Sequence, residues 1–320
     1  MNDRKDAAPA IEMRGLSRSF GSVTAVDRLT LTIPRGELFG LVGPDGAGKT
    51  TTLRMLAGIL PPSQGEALVA GHSVQGEAEA LQGKIAYMSQ RFGLYGDLTV
   101  LENLTFYAEL FEVPRRERGA RIERLLGFSN LTPFKDRLAE KLSGGMKQKL
   151  GLACALIHTP EIVLLDEPTN GVDPVSRRDF WRILYDLLKR GVTILVTTAY
   201  LDEAERCHRV GLMHQGRLLA LDSPERIKAS LAGDLLEIRV ADPWRARELL
   251  TGAPLVKGVA LFDRRLHVAV GEMARDLPTV LAALEAEGLE PEEPRRIVPS
   301  LEDVFIARIQ KEGGDHAPAA

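Results

Sequence analysis

The sequence is poor in cysteine, in aromatic residues and in long apolar runs. Its 320 residues include two cysteines, and aromatic side chains make up 5% of it. Cys154 and Cys207 lie far apart and fit no metal-ligand spacing. Cys154 stands in the apolar run LGLACALI, which is typical of a core position. Two thiols in a chain of this size indicate a reducing compartment.

No segment reaches the ~20 apolar residues that a bilayer-crossing helix requires. The N-terminal stretch MNDRKDAAPA has charges but no apolar run behind them, unlike a secretory signal. If the protein acts at a membrane, we expect another chain to supply the span. Lys and Arg total 41 against 44 Asp and Glu, a net charge of −3, so no nucleic-acid partner is expected.

Strand-like and helical segments alternate along most of the chain, which predicts an α/β layer architecture. Two amphipathic helices at 99–129 interrupt this rhythm and indicate an inserted helical subdomain at about 92–160. After residue 234, short strands with one helix predict a small α+β domain. The expected divisions are a tail at 1–10, a main domain at 11–232, a second domain at 235–312 and a disordered tail at 313–320. The expected strands are 11–20, 29–34, 38–43, 84–90, 161–168 and 193–198, and further expected helices are 48–58 and 175–190.

The segment GPDGAGKT at 43–50 follows the apolar run LFGLV and opens a helical pattern. Glycines let a backbone wrap closely around phosphates, and a helix N-terminus presents unpaired N–H groups and a positive dipole end. In this context the segment predicts a nucleotide phosphate loop. Lys49 would contact the β- and γ-phosphates, and the Thr50 hydroxyl would bind Mg²⁺. The alternative is a fortuitous glycine-rich turn, which the flanking strand and helix disfavour.

The apolar run EIVLLDEP ends in two adjacent carboxylates, Asp166 and Glu167. Ligands of open α/β folds bind at the carboxyl edge of the sheet, where these side chains are expected. We expect Asp166 to join the Mg²⁺ shell through water. Glu167 is then the candidate general base that polarises the attacking water. A pair of acids at a helix start is the alternative, which Pro168 and the phosphate loop disfavour.

A third segment, LSGGMKQ, places Ser143, Gly144 and Gly145 at a predicted helix N-terminus, which alone is a common cap. The order GPDGAGKT, MSQ, LSGGMKQ, VLLDEP and GVDP resembles the nucleotide-binding subunits of ABC transporters over residues 11 to about 225. The stretches QRFGLYGDLTVLENL and PSLEDVFIARI further resemble ATPases of ABC-2-type drug exporters, including YbhF-like tripartite multidrug efflux systems. The resemblance implies an α/β, ABC-type P-loop ATPase domain with a mixed-sheet core and an inserted helical subdomain. A small C-terminal α+β accessory domain follows it.

The resemblance also implies ATP and Mg²⁺ as cofactors and gives roles to individual residues. Phe20 would stack on adenine, although a core phenylalanine at a strand end is the alternative. Gln90 would join Mg²⁺ or the lytic water to the membrane contact, and Asp173 would act across a dimer. The implied ATP-binding residues are Phe20, Gly43, Asp45, Gly46, Gly48, Lys49, Thr50 and Thr51. The implied metal residues are Thr50, Gln90 and Asp166, and the signature residues that cap a second chain's ATP are Ser143, Gly144, Gly145 and Gln148.

Two positions depart from the family pattern. Asp45 stands where the phosphate loop usually has Asn or Ser, and we expect its carboxylate to face away from the triphosphate, towards the dimer seam. In the stretch TTAYLDEAE, Ala199 stands where the family has a switch histidine that contacts the γ-phosphate. Alanine has no side-chain donor or acceptor, so we expect a weakened catalytic site, by about 2.7–4 kcal/mol. ATP binding should survive.

Three interpretations of Ala199 remain open. The chain is the weak half of an asymmetric pair, which we favour; or it is a slow homodimer in which Thr198, Tyr200 or water partly replaces the histidine; or it is a nucleotide-gated structural subunit. A non-transport ABC ATPase is the other functional class, but those usually fuse two such domains or carry a long coiled coil.

The resemblance implies an exporter that handles a drug or lipid-like substrate. Its expected partners are transmembrane permease subunits of the ABC-2 type, a second ATP-binding subunit (identical or related) and a periplasmic adaptor protein. The expected location is cytoplasmic, at the inner face of the cell membrane. Apolar residues Phe92, Leu94 and Tyr95 predict a groove for a coupling helix of the permease, although packing within the helical subdomain is the alternative.

Overall fold

A computed structural model describes residues 8–90, 93–262 and 264–314. It divides the chain into two units, Met1–Leu218 and Leu219–Ala320. The division falls within a strand, Arg217–Asp222, and so lies earlier than the boundary expected at 232–235. In the described part of the chain, every helix is too short or too polar to cross a membrane.

The first unit contains two sheets. A four-stranded antiparallel sheet has the order β2-β1-β4-β5, and a six-stranded sheet has the order β10-β9-β3-β8-β7-β6. In the larger sheet the five strands from β9 to β6 run parallel. The strands are β1 (Ile11–Phe20), β2 (Val23–Ile33), β3 (Leu38–Val42), β4 (Gln64–Val69), β5 (His72–Ser73), β6 (Ile85–Met88), β7 (Ile162–Asp166), β8 (Thr193–Thr198), β9 (Arg209–His214) and β10 (Arg217–Asp222).

Seven α-helices accompany these strands within the described residues. They are α1 (Lys49–Leu56), α2 (Ala78–Gln82), α3 (Val100–Leu110), α4 (Arg115–Phe128), α5 (Gly144–Ala155), α6 (Pro174–Lys189) and α7 (Leu201–Ala204). The two amphipathic helices expected at 99–129 are confirmed as α3 and α4. A capping box between Thr99 and Glu102 begins α3, which explains why that helix starts where it does.

The parallel strands predicted from apolar runs are confirmed, and β3, β7 and β8 are buried along their whole lengths. Their register places Val42 beside Thr198, and Thr197 beside Asp166. Because parallel strands end at the same edge, the segments that follow β3, β7 and β8 meet there. The sequence led us to expect β2 at 29–34, but pairing with β1 extends it back to Val23.

The second unit is an antiparallel sheet with helices on it, in the order β12-β13-β11-β14. The expectation of one helix among these strands is wrong, because Pro243–Leu250 is also helical. Asp242 caps that helix and Pro243 begins it, which is a start signal that the sequence carried. The elements are α8 (Pro224–Ala229), β11 (Asp234–Arg239), α9 (Pro243–Leu250), β12 (Val256–Phe262), β13 (Arg265–Val270), α10 (Met273–Ala286), β14 (Arg295–Ile297) and α11 (Leu301–Gly314).

The tails expected at 1–10 and 313–320 fall mostly outside the described residues, which exclude 1–7 and 315–320. Ala10 is buried, and its backbone pairs with Ile33 and Ala70, so that end of the expected tail belongs to the sheet. The last helix continues to Gly314, two residues beyond the limit expected for the second domain.

Candidate functional site

The backbone of the loop between β3 and α1 packs closely against the backbone of two other segments. A Cβ atom on Gly43 would lie 2.1 Å from the carbonyl oxygen of Met213, and one on Gly48 would lie 2.3 Å from that of Ala25. Gly48 also has φ 103°, a conformation that side chains rarely adopt. These glycines are required by the fold of the loop, which leaves the first turn of α1 open at its N-terminus.

Lys49 begins α1 and turns its ammonium group into this loop. Its Nζ atom donates to the carbonyl oxygens of Gly43 at 2.7 Å and Pro44 at 2.9 Å. The same atom lies 3.0 Å from Oε1 of Glu167. A compact cation is therefore held where the loop closes, with a carboxylate as its counter-ion.

Thr50 and Asp166 meet across α1 and β7. The Thr50 hydroxyl donates to Oδ1 of Asp166 at 2.9 Å, and the Thr197 hydroxyl donates to the same oxygen at 2.9 Å. The other oxygen, Oδ2, is buried and has no hydrogen-bond partner in the described structure. A buried carboxylate oxygen without a partner, beside a hydroxyl, fits a hard divalent cation that binds oxygen ligands. Burial raises the pKa of Tyr87, and the negative charge of Asp166 raises it further.

Glu167 follows β7 in a left-handed conformation, with φ 46°. Its backbone N–H donates to the carbonyl oxygen of Thr197 at 3.2 Å and to the Thr197 hydroxyl at 3.0 Å. Its Oε2 atom accepts from Nε2 of Gln90 at 3.2 Å and from Nδ2 of Asn170 at 3.4 Å. The carboxylate is thus held at both oxygens, and its backbone is fixed to the neighbouring strand.

The phosphate loop, Gln90 and Glu167 line one cleft of about 350 Å³. Phe20 stands at its rim with 47% of its surface exposed, and the Arg18 guanidinium lies 4.7 Å from the ring centroid. An exposed ring does not fit the alternative that Phe20 is a core residue. The lining residues are Phe20, Ala25, Asp45, Gly46, Ala47, Gly48, Lys49, Thr50, Thr51, Gln90 and Glu167.

A second cavity of about 140 Å³ lies at Ala199. Its wall combines hydroxyl, amide and carboxylate side chains with the methyl group of alanine. Asp45 is exposed and lines both this cavity and the first cleft, so that it stands between them. The lining residues are Asp45, Glu167, Thr169, Asn170, Thr198, Ala199 and Tyr200.

The side chains around Ala199 are already engaged with one another. The Thr198 hydroxyl donates to Oε2 of the buried Glu203 at 2.9 Å, which directs it away from the cleft. The Tyr200 hydroxyl donates to Oδ1 of Asn170 at 3.5 Å. Reasoning from the sequence missed Asn170 and Glu203. Glu203 stands in the stretch TTAYLDEAE, where an acid next to Ala204 carried no signal of burial.

The signature residues begin α5 and do not line the cleft in the described part of the chain. Ser143 caps the helix by accepting from the N–H of Met146 at 3.3 Å. A Cβ atom on Gly145 would lie 2.3 Å from Cβ of Ser176 in α6, whereas Gly144 has open space around it. Gln148 lines a separate groove of about 330 Å³ with Gln90 and Leu94. Phe92, which was expected in a groove for a partner, lies outside the described residues.

Asp173 caps α6 and lies apart from the cleft as well. Its Oδ1 atom accepts from the backbone N–H groups of Val175 at 3.1 Å and Ser176 at 2.9 Å. These bonds, chiefly the one from Ser176, lower the pKa of Asp173. The cleft therefore unites Phe20, the phosphate loop, Gln90 and Glu167, with the buried Asp166 behind Thr50, to which it is hydrogen-bonded. Asp173 and the signature residues do not line it.

Comparison with known proteins agrees with this geometry. The family model described as "ABC transporter" matches residues 26–170, and that of "ATP-binding protein DrrA1-3-like, C-terminal domain" matches residues 223–309. A solved structure of cbiO1 from Clostridium perfringens, part of the ABC transporter complex cbiONQ, has a TM-score of 0.65 at 26% identity. That alignment covers 70% of this chain and 92% of that one.

Two curated relatives match over greater lengths. The "probable multidrug ABC transporter ATP-binding protein YbhF" of Escherichia coli is 51% identical over 314 residues, which are 96% of this chain and 53% of YbhF. The chain thus spans about half the length of that relative. The Nod factor export ATP-binding protein I of Paraburkholderia xenovorans is 42% identical over 263 residues, 82% of this chain and 86% of that protein. With the phosphate loop, the paired carboxylates and the signature helix in this arrangement, the chain belongs to the ATP-binding proteins of ABC transporters.

Proposed function

We propose that this chain binds ATP with Mg²⁺, hydrolyses it to ADP and phosphate, and thereby drives export through a separate transmembrane subunit. The observation that carries the proposal is the convergence of Lys49, Thr50, Glu167 and Gln90 on one cleft, with the buried Asp166 hydrogen-bonded to Thr50 at its wall. These groups supply the cation, the metal ligands and the base that phosphoryl transfer to water requires.

Phosphate binding falls to the loop and to Lys49. The N–H groups at the start of α1 and the Lys49 ammonium group hold the negative oxygens of the triphosphate. Phe20 offers an exposed ring on which adenine stacks. Gly43, Gly46, Gly48 and Thr51 shape and line the phosphate end, and the exposed Asp45 lines the cleft as well.

Thr50, Asp166 and Gln90 would hold Mg²⁺, because they bring a hydroxyl, a carboxylate and an amide oxygen to the same end of the cleft. When bound, the ion neutralises charge on the β- and γ-phosphates. Glu167 takes the proton of the attacking water, and Gln90 and Asn170 orient its carboxylate from Oε2. Ala199 contributes no polar group, so hydrolysis is slower than it would be with histidine at this position.

Completion of the site requires a second ATP-binding chain. Within the described residues, the signature residues at the N-terminal end of α5 do not line the chain's own cleft, and neither does Asp173, which caps α6. The signature residues are Ser143, Gly144, Gly145 and Gln148. We infer that they contact the nucleotide of a second, identical or related, subunit. The division that the sequence led us to expect assigns 11–232 to the ATPase, and 235–312 to an accessory domain that stabilises or regulates this pair.

The relatives are a multidrug transporter protein and a Nod factor export protein by their printed names, which supports a drug or lipid-like cargo. The remaining partners that we propose are ABC-2 permease subunits and a periplasmic adaptor, with the chain on the cytoplasmic face of the membrane. Of the residues expected to receive the permease, Leu94 lines a groove and Tyr95 is exposed, which supports this part of the proposal.

The test is phosphate release from radiolabelled ATP by the purified chain and by Glu167→Gln. We expect Glu167→Gln to lower kcat at least about 100-fold, because the base is lost. Glu161→Gln serves as the matched control, since Glu161 forms an exposed ion pair with Arg35. Binding of a fluorescent ATP analogue is measured beside it. A chain that binds no nucleotide would refute the proposal, whereas binding without hydrolysis would leave the nucleotide-gated structural subunit as the function.

A further inference from the structure

A carboxylate that the mechanism does not use lies wholly buried next to the cavity at Ala199. Glu203 has no exposed surface, and its Oε1 atom accepts from the Thr169 hydroxyl at 2.5 Å. Its Oε2 atom accepts from the Thr198 hydroxyl at 2.9 Å. Nε of Arg177 lies 3.4 Å from Oε1 and supplies the counter-charge. Glu203 therefore ties the segment that follows Glu167 to the strand end that precedes Ala199.

The residues next to these two anchors reach towards Glu167. Asn170, which follows Thr169, donates from Nδ2 to Oε2 of Glu167 at 3.4 Å. Its Oδ1 atom accepts from the Tyr200 hydroxyl at 3.5 Å. The Arg177 guanidinium lies 4.8 Å from the centroid of the Tyr200 ring, which fixes the ring's position. A continuous set of contacts thus runs from Glu203 through both loops to the carboxylate.

We propose that Asn170 and Tyr200 are positioning residues that hold the Glu167 carboxylate from the side that Ala199 leaves bare. The buried Glu203 fixes the two loops that carry them. This inference rests on the proposed role of Glu167 as the base in ATP hydrolysis. In this proposal Asn170 and Tyr200 position the Glu167 carboxylate, a role that a polar side chain at position 199 would otherwise share.

The hydrogen bonds favour Tyr200 over Thr198 as the residue that compensates for the missing polar side chain at position 199. Thr198 is committed to Glu203, and its Oγ1 atom also accepts from the backbone N–H of Tyr200. Tyr200 is exposed and lines the same cavity as Glu167 and Ala199. Its hydroxyl fixes which way the Asn170 amide points, because an amide whose oxygen accepts from Tyr200 presents its NH₂ group to Glu167.

The test measures kcat and KM for ATP in Tyr200→Phe and Asn170→Ala, each made in the wild-type chain and in Ala199→His. Tyr200→Phe keeps the ring under Arg177 and removes only the hydroxyl. Loss of one such bond should lower kcat about threefold to tenfold with KM unchanged. Tyr185→Phe is the matched control, because its hydroxyl donates to the carbonyl oxygen of Arg206, away from the cleft. Glu203→Gln, checked for folding by its thermal transition, extends the series to the buried anchor.

Comparison of the losses in the wild-type chain with those in Ala199→His decides the interpretation. If Asn170 and Tyr200 do the work that residue 199 omits, their substitutions should cost less than twofold in Ala199→His. An equal loss of kcat in both backgrounds, a rise in KM instead, or a loss no larger than in Tyr185→Phe would overturn the inference. Each of these results would leave the proposed function standing, because the wild type still hydrolyses ATP. A wild type that binds ATP but hydrolyses it only after Ala199→His would overturn the inference together with the proposed hydrolysis, and would leave the nucleotide-gated structural subunit as the function. Failure of the wild-type chain and of Ala199→His to bind ATP would refute the proposed function itself.

Discussion

The Lys49 ammonium lies 3.0 Å from the Glu167 carboxylate, and the two side chains are only 4% and 10% exposed. The group proposed to bind phosphate and the group proposed to act as base therefore neutralise each other. Removing one partner of a buried pair leaves the other charge uncompensated, which is costly. A triphosphate that draws Lys49 to itself would free the carboxylate at the moment when it is needed.

This pairing predicts that Glu167→Gln binds ATP more tightly than the wild type. The glutamine leaves Lys49 without a competing carboxylate and removes a negative charge that faces the triphosphate. We expect the Kd of a fluorescent ATP analogue to fall about threefold or more at low salt, and this gain to shrink as salt rises. An unchanged Kd in Glu167→Gln, equal to that of Glu161→Gln, would contradict this prediction. It would mean that separating Lys49 from Glu167 does not weaken ATP binding.

Ala199→His should raise kcat about 100-fold or more, because it restores a positioned hydrogen-bonding group beside the γ-phosphate. Ala199→Leu is the control for bulk, since it fills the same space without a polar atom, and it should not accelerate hydrolysis. The cavity of about 140 Å³ also admits a small heterocycle. Added imidazole should therefore stimulate the wild type and leave Ala199→His unaffected, and stimulation of both would point to an effect elsewhere.

Asp166→Asn should abolish the benefit of Mg²⁺ for nucleotide binding. The wild-type chain should bind an ATP analogue more tightly with Mg²⁺ than with a chelator. The reason is that Oδ2 of Asp166, which has no hydrogen-bond partner in the described structure, is available to the ion. In Asp166→Asn the two affinities should agree within about twofold, since the ion then loses its one negatively charged protein ligand and keeps only neutral ones. Asp186→Asn, which alters an exposed pair with Lys189, should behave like the wild type.

The two signature glycines should differ in their effect on stability. Gly145→Ala places a methyl group 2.3 Å from Cβ of Ser176, so we expect about 1–3 kcal/mol of destabilisation from overpacking. Gly144→Ala meets open space and should change the free energy of unfolding by no more than about 0.5 kcal/mol. Urea unfolding of both variants checks this, and equal effects would show that α5 and α6 separate easily.

The second unit should lose stability in acid through Asp276. Hydrogen bonds from Arg275, and then from the backbone N–H groups of Glu272 and Gly271, lower the pKa of Asp276 to about 2. A carboxyl with a pKa lowered by folding stabilises the folded state above its unfolded pKa of about 3.9, and that contribution disappears as the pH falls towards 2. We expect Asp276→Asn to be less stable than the wild type at pH 7 and to converge with it near pH 2. Calorimetry across this range, with the exposed Glu290→Gln as control, would contradict the assignment if the difference were independent of pH.

Much of the candidate site's geometry was accessible from sequence because it depends on short-range pattern. A buried apolar run must end at a sheet edge, so the positions of the phosphate loop and of Asp166 and Glu167 followed from the strands that precede them. The buried Glu203 was not accessible. Its burial depends on hydroxyl groups of Thr169 and Thr198, which come from two other segments of the chain. Helix α9 was accessible from its cap and its proline, but the sequence interpretation counted one helix there.

The contact between Gly145 and Ser176 has a mechanical consequence. The helix that begins at the signature residues and the helix that Asp173 caps touch without clearance, and an ion pair between Lys149 and Asp179 joins them further along, at 3.2 Å. We therefore expect a shift of either helix at that point to press on the other. The signature residues and Asp173 thus lie on two helices that are packed together. A neighbouring chain that contacts one of these groups is therefore expected to contact the other.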